Sequence, residues 1–183
     1  GGVNTTIKGF TLQDTGRSII DITGAPSGVT IEDIIALHND GNFIDNAVLY
    51  TGNAAGLTIR DFTMTNGQSG FNGIYITGTA NNVLIDDFDF SSGSGGAGYG
   101  IRVTGAATNV AIQNCTLDLD LPGNNDDGNF GIGFNNTTNN ITIDNVTVHD
   151  AETYGLYFAG VATDITITNS TLDNFDGWVN NQM

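Results

Sequence analysis

Seven isoleucines set the period of this chain: Ile7, Ile31, Ile59, Ile85, Ile112, Ile143 and Ile167, spaced 24, 28, 26, 27, 31 and 24 residues apart. From the second repeat on, each closes a short apolar pair: Val29/Ile31, Leu57/Ile59, Val83/Ile85, Val110/Ile112, Ile141/Ile143 and Ile165/Ile167. Alternation puts both members of a pair on one face of a strand. A second apolar run begins three residues after the isoleucine, as in Phe62/Met64, Phe88/Phe90 and Val146/Val148. A third run reads Ile20/Ile22, Val48/Tyr50, Ile74/Ile76, Ile101/Val103, Ile132/Phe134 and Leu156/Phe158. No run is long enough for an ordinary helix, and Gly, Asn and Asp interrupt the chain between runs. Self-similarity at this period is the signature of a solenoid, whose stacked repeats share one continuous core.

Corner lengths agree. Seven residues separate the end of every third run from the next first run, from Ile22 to Val29 through Phe158 to Ile165. Two residues past each isoleucine stand Gly9, Asp33, Asp61, Asp87, Asn114, Asn145 and Asn169. Asx residues tolerate a left-handed backbone and bond their own turn. Stacked amides can also form ladders. The expected fold is all-β: a parallel β-helix of about seven coils, three short strands per coil, forming a single domain over residues 1–183. Right-handed winding is expected from the general rule for parallel crossovers.

This pattern resembles the right-handed parallel β-helix superfold, the scaffold of pectate-lyase-like polysaccharide enzymes, phage tailspikes and many bacterial surface proteins. The resemblance covers nearly the whole chain and implies the fold and an association with polysaccharide. The catalytic signatures of those enzymes are missing. The chain has no Arg-x-Pro-Arg run like that of pectate lyases, and no Gly-His-Gly or Arg-Ile-Lys like those of polygalacturonases. Asp126-Asp127 alone does not replace them, and a fold does not supply a reaction.

Charge narrows the partners. Twenty acidic residues face only Lys8, Arg17, Arg60 and Arg102, for a net charge of −16. Nucleic acid and anionic membranes would be repelled, whereas Ca²⁺ suits such a surface. No apolar stretch approaches the ~18 residues of a membrane-spanning helix. The single cysteine, Cys115, sits in an inward column and reads as a small buried hydrophobe. The expected setting is extracellular or on the cell surface. Both ends read as uncapped rungs, so the chain is expected to be a segment of a longer or assembling protein. End-to-end self-association should then strengthen as salt or Ca²⁺ screens the charge.

Two candidate sites follow from counting positions across coils. Asp118, His149 and Asp173 each lie six residues past an isoleucine, and Asp126 and Asp127 share their acidic corner. Carboxylates around a histidine are the donor set of a cation site or of acid–base chemistry. Separately, the outward column of the third run reads Asp21, Leu49, Tyr75, Arg102, Gly133 and Tyr157. Tyr75, Arg102 and Tyr157 combine flat rings with a forked donor, which suits a sugar ring with its hydroxyls or carboxylate. Gly133 is expected to leave a gap beside Tyr157. A third column, Tyr99, Phe130 and Tyr154, should stack in adjacent coils. The leading expectation is a module for polysaccharide contact, assisted by Ca²⁺. A polysaccharide lyase, hydrolase or epimerase is the alternative, with His149, Tyr75, Arg102 and Tyr157 as its candidate catalytic groups. A self-assembling structural subunit is the third.

Overall fold

The structure is a computed structural model describing residues 4–13, 17–37, 46–67, 71–92, 97–119, 130–151 and 153–174. All its ladders are parallel. The first ladder stacks Thr5–Gln13, Val29–Leu37, Thr58–Gly67, Ala80–Ser92, Ala107–Gln113, Thr138–Asp144 and Ala162–Thr168 in chain order. The second stacks Ser18–Ile22, Asn46–Tyr50, Phe71–Ile76, Ala97–Val103, Phe130–Phe134 and Tyr154–Phe158. The seven isoleucines meet in one unbroken column, Ile7 on Ile31, Ile31 on Ile59, and so on to Ile143 on Ile167. Seven rungs of the first ladder and six of the second make slightly fewer complete turns than expected from the repeats.

The three-strand coil is drawn differently at its two ends. In the first four rungs, the first and second apolar runs form one continuous strand that bends at its middle. Later rungs break there, leaving Thr116–Asp118, Thr147–Ala151 and Thr171–Asn174 as separate strands of the same sheet. The bend is the predicted Asx position. Asp33, Asp61, Asp87, Asn114, Asn145 and Asn169 all have φ between 50° and 54°. A second left-handed column, Asn82, Asn109, Asn140 and Asp164, turns the chain just before the first run. Left-handed backbone is costly for most side chains, and Asn and Asp tolerate it best.

Amides tie these turns together along the axis. Asn140 donates to Asn109 (2.8 Å), and Asn109 donates to Asn82 (3.0 Å). At the other turn Asn145 donates to Asn114 (2.9 Å). Inside, Ile31, Ile59, Ile112 and Ile143 have no exposed surface, and Phe62 meets Phe88 edge-on at 5.6 Å. Each large apolar side chain so buried contributes roughly 1.5–3 kcal/mol. The end rungs differ: Phe10 is 53% exposed and Ile167 44%.

The amide ladder changes chemistry in the N-terminal half. The registers of Arg60 on Asp86 and Phe62 on Phe88 set Asp61 opposite Asp87, and the same reasoning sets Asp33 opposite Asp61. Three aspartates therefore stack where later rungs carry asparagine. Lys8 relieves the first, reaching Glu32 (2.9 Å) and Asp33 (3.2 Å). The middle carboxyl, Asp61, is pushed above the usual carboxylate range by desolvation, by Asp33, and by a hydrogen bond with and the charge of Asp87. A raised carboxyl makes the folded state bind protons more tightly than the unfolded chain. That stability is present below the unfolded pKa and is lost as pH rises through the folded one. Asp61→Asn should thus raise the melting temperature at neutral pH, with the gain shrinking in acid. Melts from pH 3 to 8 read this out, and a gain independent of pH would refute shared protonation.

Candidate carbohydrate-binding face

The outer surface of the second ladder carries one continuous stripe of rings. Its register places Tyr75 beside Arg102, Arg102 beside Gly133, and Gly133 beside Tyr157. The neighbouring column runs Asn72, Tyr99, Phe130, Tyr154. Tyr99 stacks on Phe130 at 4.4 Å with 8° between planes. Phe130 contacts both Tyr154 (5.7 Å) and Tyr157 (5.6 Å), and those two tyrosines stack on each other at 5.3 Å.

Simple alternation would put Tyr99 and Arg102, three residues apart, on opposite faces. They share one face because Gly100 and Ile101 are both turned inward and buried. The same two-residue inward step recurs at Gly73-Ile74, Gly131-Ile132 and Gly155-Leu156. Glycine is required there by close approach. A methyl on Gly100 would lie 2.9 Å from the Gly131 carbonyl oxygen and 3.0 Å from Leu117. The Gly just ahead of the last four third runs, at Gly73, Gly100, Gly131 and Gly155, was the available signal that the two columns merge.

Arg102 lies at the centre of the stripe. Its guanidinium carbon sits 4.6 Å from the Tyr99 ring centroid and 5.1 Å from that of Tyr75. Cation–π attraction offsets part of its desolvation. Its Nε is buried with no hydrogen-bond partner, and among the described residues the side chain makes no ion pair. Lys8 and Arg60, by contrast, are both committed to Glu32. The gap expected at Gly133 is filled: the Tyr99 ring covers it, so that a methyl there would meet Tyr99 Cδ1 at 2.8 Å. Tyr99 is consequently only 9% exposed, and burial raises its phenol pKa while Arg102 opposes that rise.

The acidic corner is only partly described. Asp118 and His149 are neighbours in register, as expected. The ladder shifts between Val148 and Ala151, just where His149 should meet the next rung. For Asp173 the strand is described but not the side chain, and Asp126 and Asp127 lie outside the described residues. Among the described residues, no group of three or more His, Cys, Asp or Glu side chains is arranged to hold a metal ion. Cys115 is buried as expected, and burial pushes its thiol up to about 12. No helix among the described residues is long and apolar enough to cross a membrane.

A family model described as the right handed beta helix region matches residues 1–179. The chain belongs to the right-handed β-helix family. No curated protein and no solved structure matched it.

Proposed function

We propose that this chain is an extracellular or cell-surface β-helix module that contacts polysaccharide through the stripe containing Tyr75, Arg102 and Tyr157. The observation that carries the reading is Arg102, held against two tyrosine rings with no ion pair among the described residues, in a protein of net charge −16. Flat rings offer apolar platforms to sugar faces, and the guanidinium fork donates to hydroxyls or a carboxylate. Ca²⁺ assistance would draw on the carboxylate oxygens of Asp118 and Asp173, with His149 beside them. A Ca²⁺ ion takes six to eight oxygens, so Asp126 and Asp127 would have to supply much of the rest.

Calorimetry with a panel of neutral and acidic glycans, with and without Ca²⁺, tests the reading. Arg102→Ala and Tyr75→Ala should each weaken binding on the order of tenfold, about 1.4 kcal/mol. Binding untouched by both variants would remove the face. Unsaturated products or new reducing ends that vanish in Arg102→Ala would replace the binding module with an enzyme.

A further inference from the structure

Charge is spread unevenly over the solenoid, and the ring stripe lies where it is sparsest. Across the six strands of the second ladder only two residues are charged, Asp21 on the first rung and Arg102 on the fourth. The whole chain has twenty acidic residues and four basic ones. No strand residue from the second rung of this ladder to the sixth carries a carboxylate. The other three basic residues are engaged elsewhere. Lys8 and Arg60 are held by Glu32 on the first ladder. Arg17 precedes the first strand, three rungs from Arg102, and has a contact of its own.

The stations on either side of Arg102 in its axial column are uncharged. Leu49 and Tyr75 come before it; Gly133, under the Tyr99 ring, and Tyr157 come after. The face of an aromatic ring is electron-rich, so it attracts the guanidinium and repels an anion. An uncharged sugar can lay its apolar side on such a ring without that repulsion. A polyuronate laid along the column would set one carboxylate on Arg102 and the others over rings or Leu49. Those others would be desolvated with no cation to pair with, in the field of a chain of net charge −16. The column therefore matches one anion and opposes a second.

We infer that the ligand of this stripe is a sparsely acidic heteropolysaccharide, with a single anionic sugar seated at Arg102 and uncharged sugars over Tyr75 and Tyr157. This rests on the reading of the stripe as a glycan-binding face and adds the charge pattern of the glycan. Neither an all-neutral glycan nor a polyuronate is the preferred ligand.

The probes are tetrasaccharides that differ only in carboxylate number: all-neutral, one interior uronate, and all-uronate. The set is made on gluco, manno and galacto backbones. It is titrated by calorimetry at about 0.15 M salt, with a chelator present so that Ca²⁺ does not neutralise the uronates. On the preferred backbone the single-uronate compound should bind about tenfold or more tightly than either of the others. Arg102→Gln, which keeps hydrogen-bond donors but loses the charge, should bring it down to the level of the neutral compound. Tyr75→Ala should weaken every compound that binds. Melting curves verify that each variant is folded. Equal or tighter binding of the all-uronate or the all-neutral compound overturns the inference, and if that binding still falls in Tyr75→Ala, the face itself stands. If no compound binds, or if binding is indifferent to Tyr75→Ala, the face and the inference fall together.

Discussion

Ile112→Asp is expected to abolish the cooperative fold of the central rungs. Ile112 has no exposed surface and lies between Ile85 and Ile143 in the isoleucine column. A carboxylate there would have no partner, and burying one costs several kcal/mol even after relaxation. That is a large fraction of the ~5–15 kcal/mol that holds a typical domain together. Solenoid rungs are stabilised mainly by their neighbours, so losing the fifth would uncouple the four before it from the two after it. Circular dichroism should show most of the β signal lost at room temperature. Ile112→Val, which removes one methylene, should cost only about 0.5–1.5 kcal/mol and keep the fold. A stable Ile112→Asp protein would mean the column is not where the register puts it.

Gly131→Ala should destabilise the second ladder despite adding only a methyl group. The new carbon would overlap the carbonyl oxygen of Gly155 and lie 2.6 Å from a Val148 methyl. The first obstacle is backbone and cannot rotate away. Overpacking of this kind costs typically ~1–3 kcal/mol, which for a chain of this size lowers the melting temperature by roughly 2–4 °C per kcal/mol. The damage should also reach the ring stripe, since Phe130 is the adjacent residue and stacks on Tyr99. A drop of about 5–10 °C with altered tyrosine fluorescence is the expected result. An unchanged melt would show that the neighbouring rung and the facing ladder can both give way at no cost.

Much of this architecture is legible in the sequence because side-chain alternation and corner length are local rules that the repeat states several times over. Ile7 through Ile167 fall in one column with no register error, and the Asx residues are the left-handed ones. What alternation misreads is the step at Gly73, Gly100, Gly131 and Gly155, where two consecutive residues face inward. That step depends on how closely one sheet approaches another, and no single strand encodes it. For the same reason Tyr99 reads as part of a separate stacked column, when in fact it also packs against Arg102 and fills the space over Gly133. The strand count was harder still, because a left-handed residue either bends a hydrogen-bonded strand or ends it. Asp33, Asp61 and Asp87 bend theirs, while Asn114 and Asn145 stand at the breaks. In the cation corner, the adjacency of Asp118 and His149 follows from counting positions, whereas the shift between Val148 and Ala151 is a local irregularity that no count shows.

Parallel stacking has a metrical consequence for anything that lies along the axis. Every outward column advances by the same ~4.8 Å per rung, whatever the length of the corners between strands. From Tyr75 to Tyr157 the stripe covers four rungs, a reach of about 14 Å. A polymer laid on that ruler is compared with it unit by unit. If its own repeat departs from the rung spacing, the mismatch accumulates like the offset on a vernier scale. Contact is then lost at one end even when every unit could fit singly. Selectivity in such a surface resides in phase, so inserting or deleting a whole coil would leave the phase of the remaining stations intact, whereas a one-residue slip within a strand would turn their side chains to the opposite face.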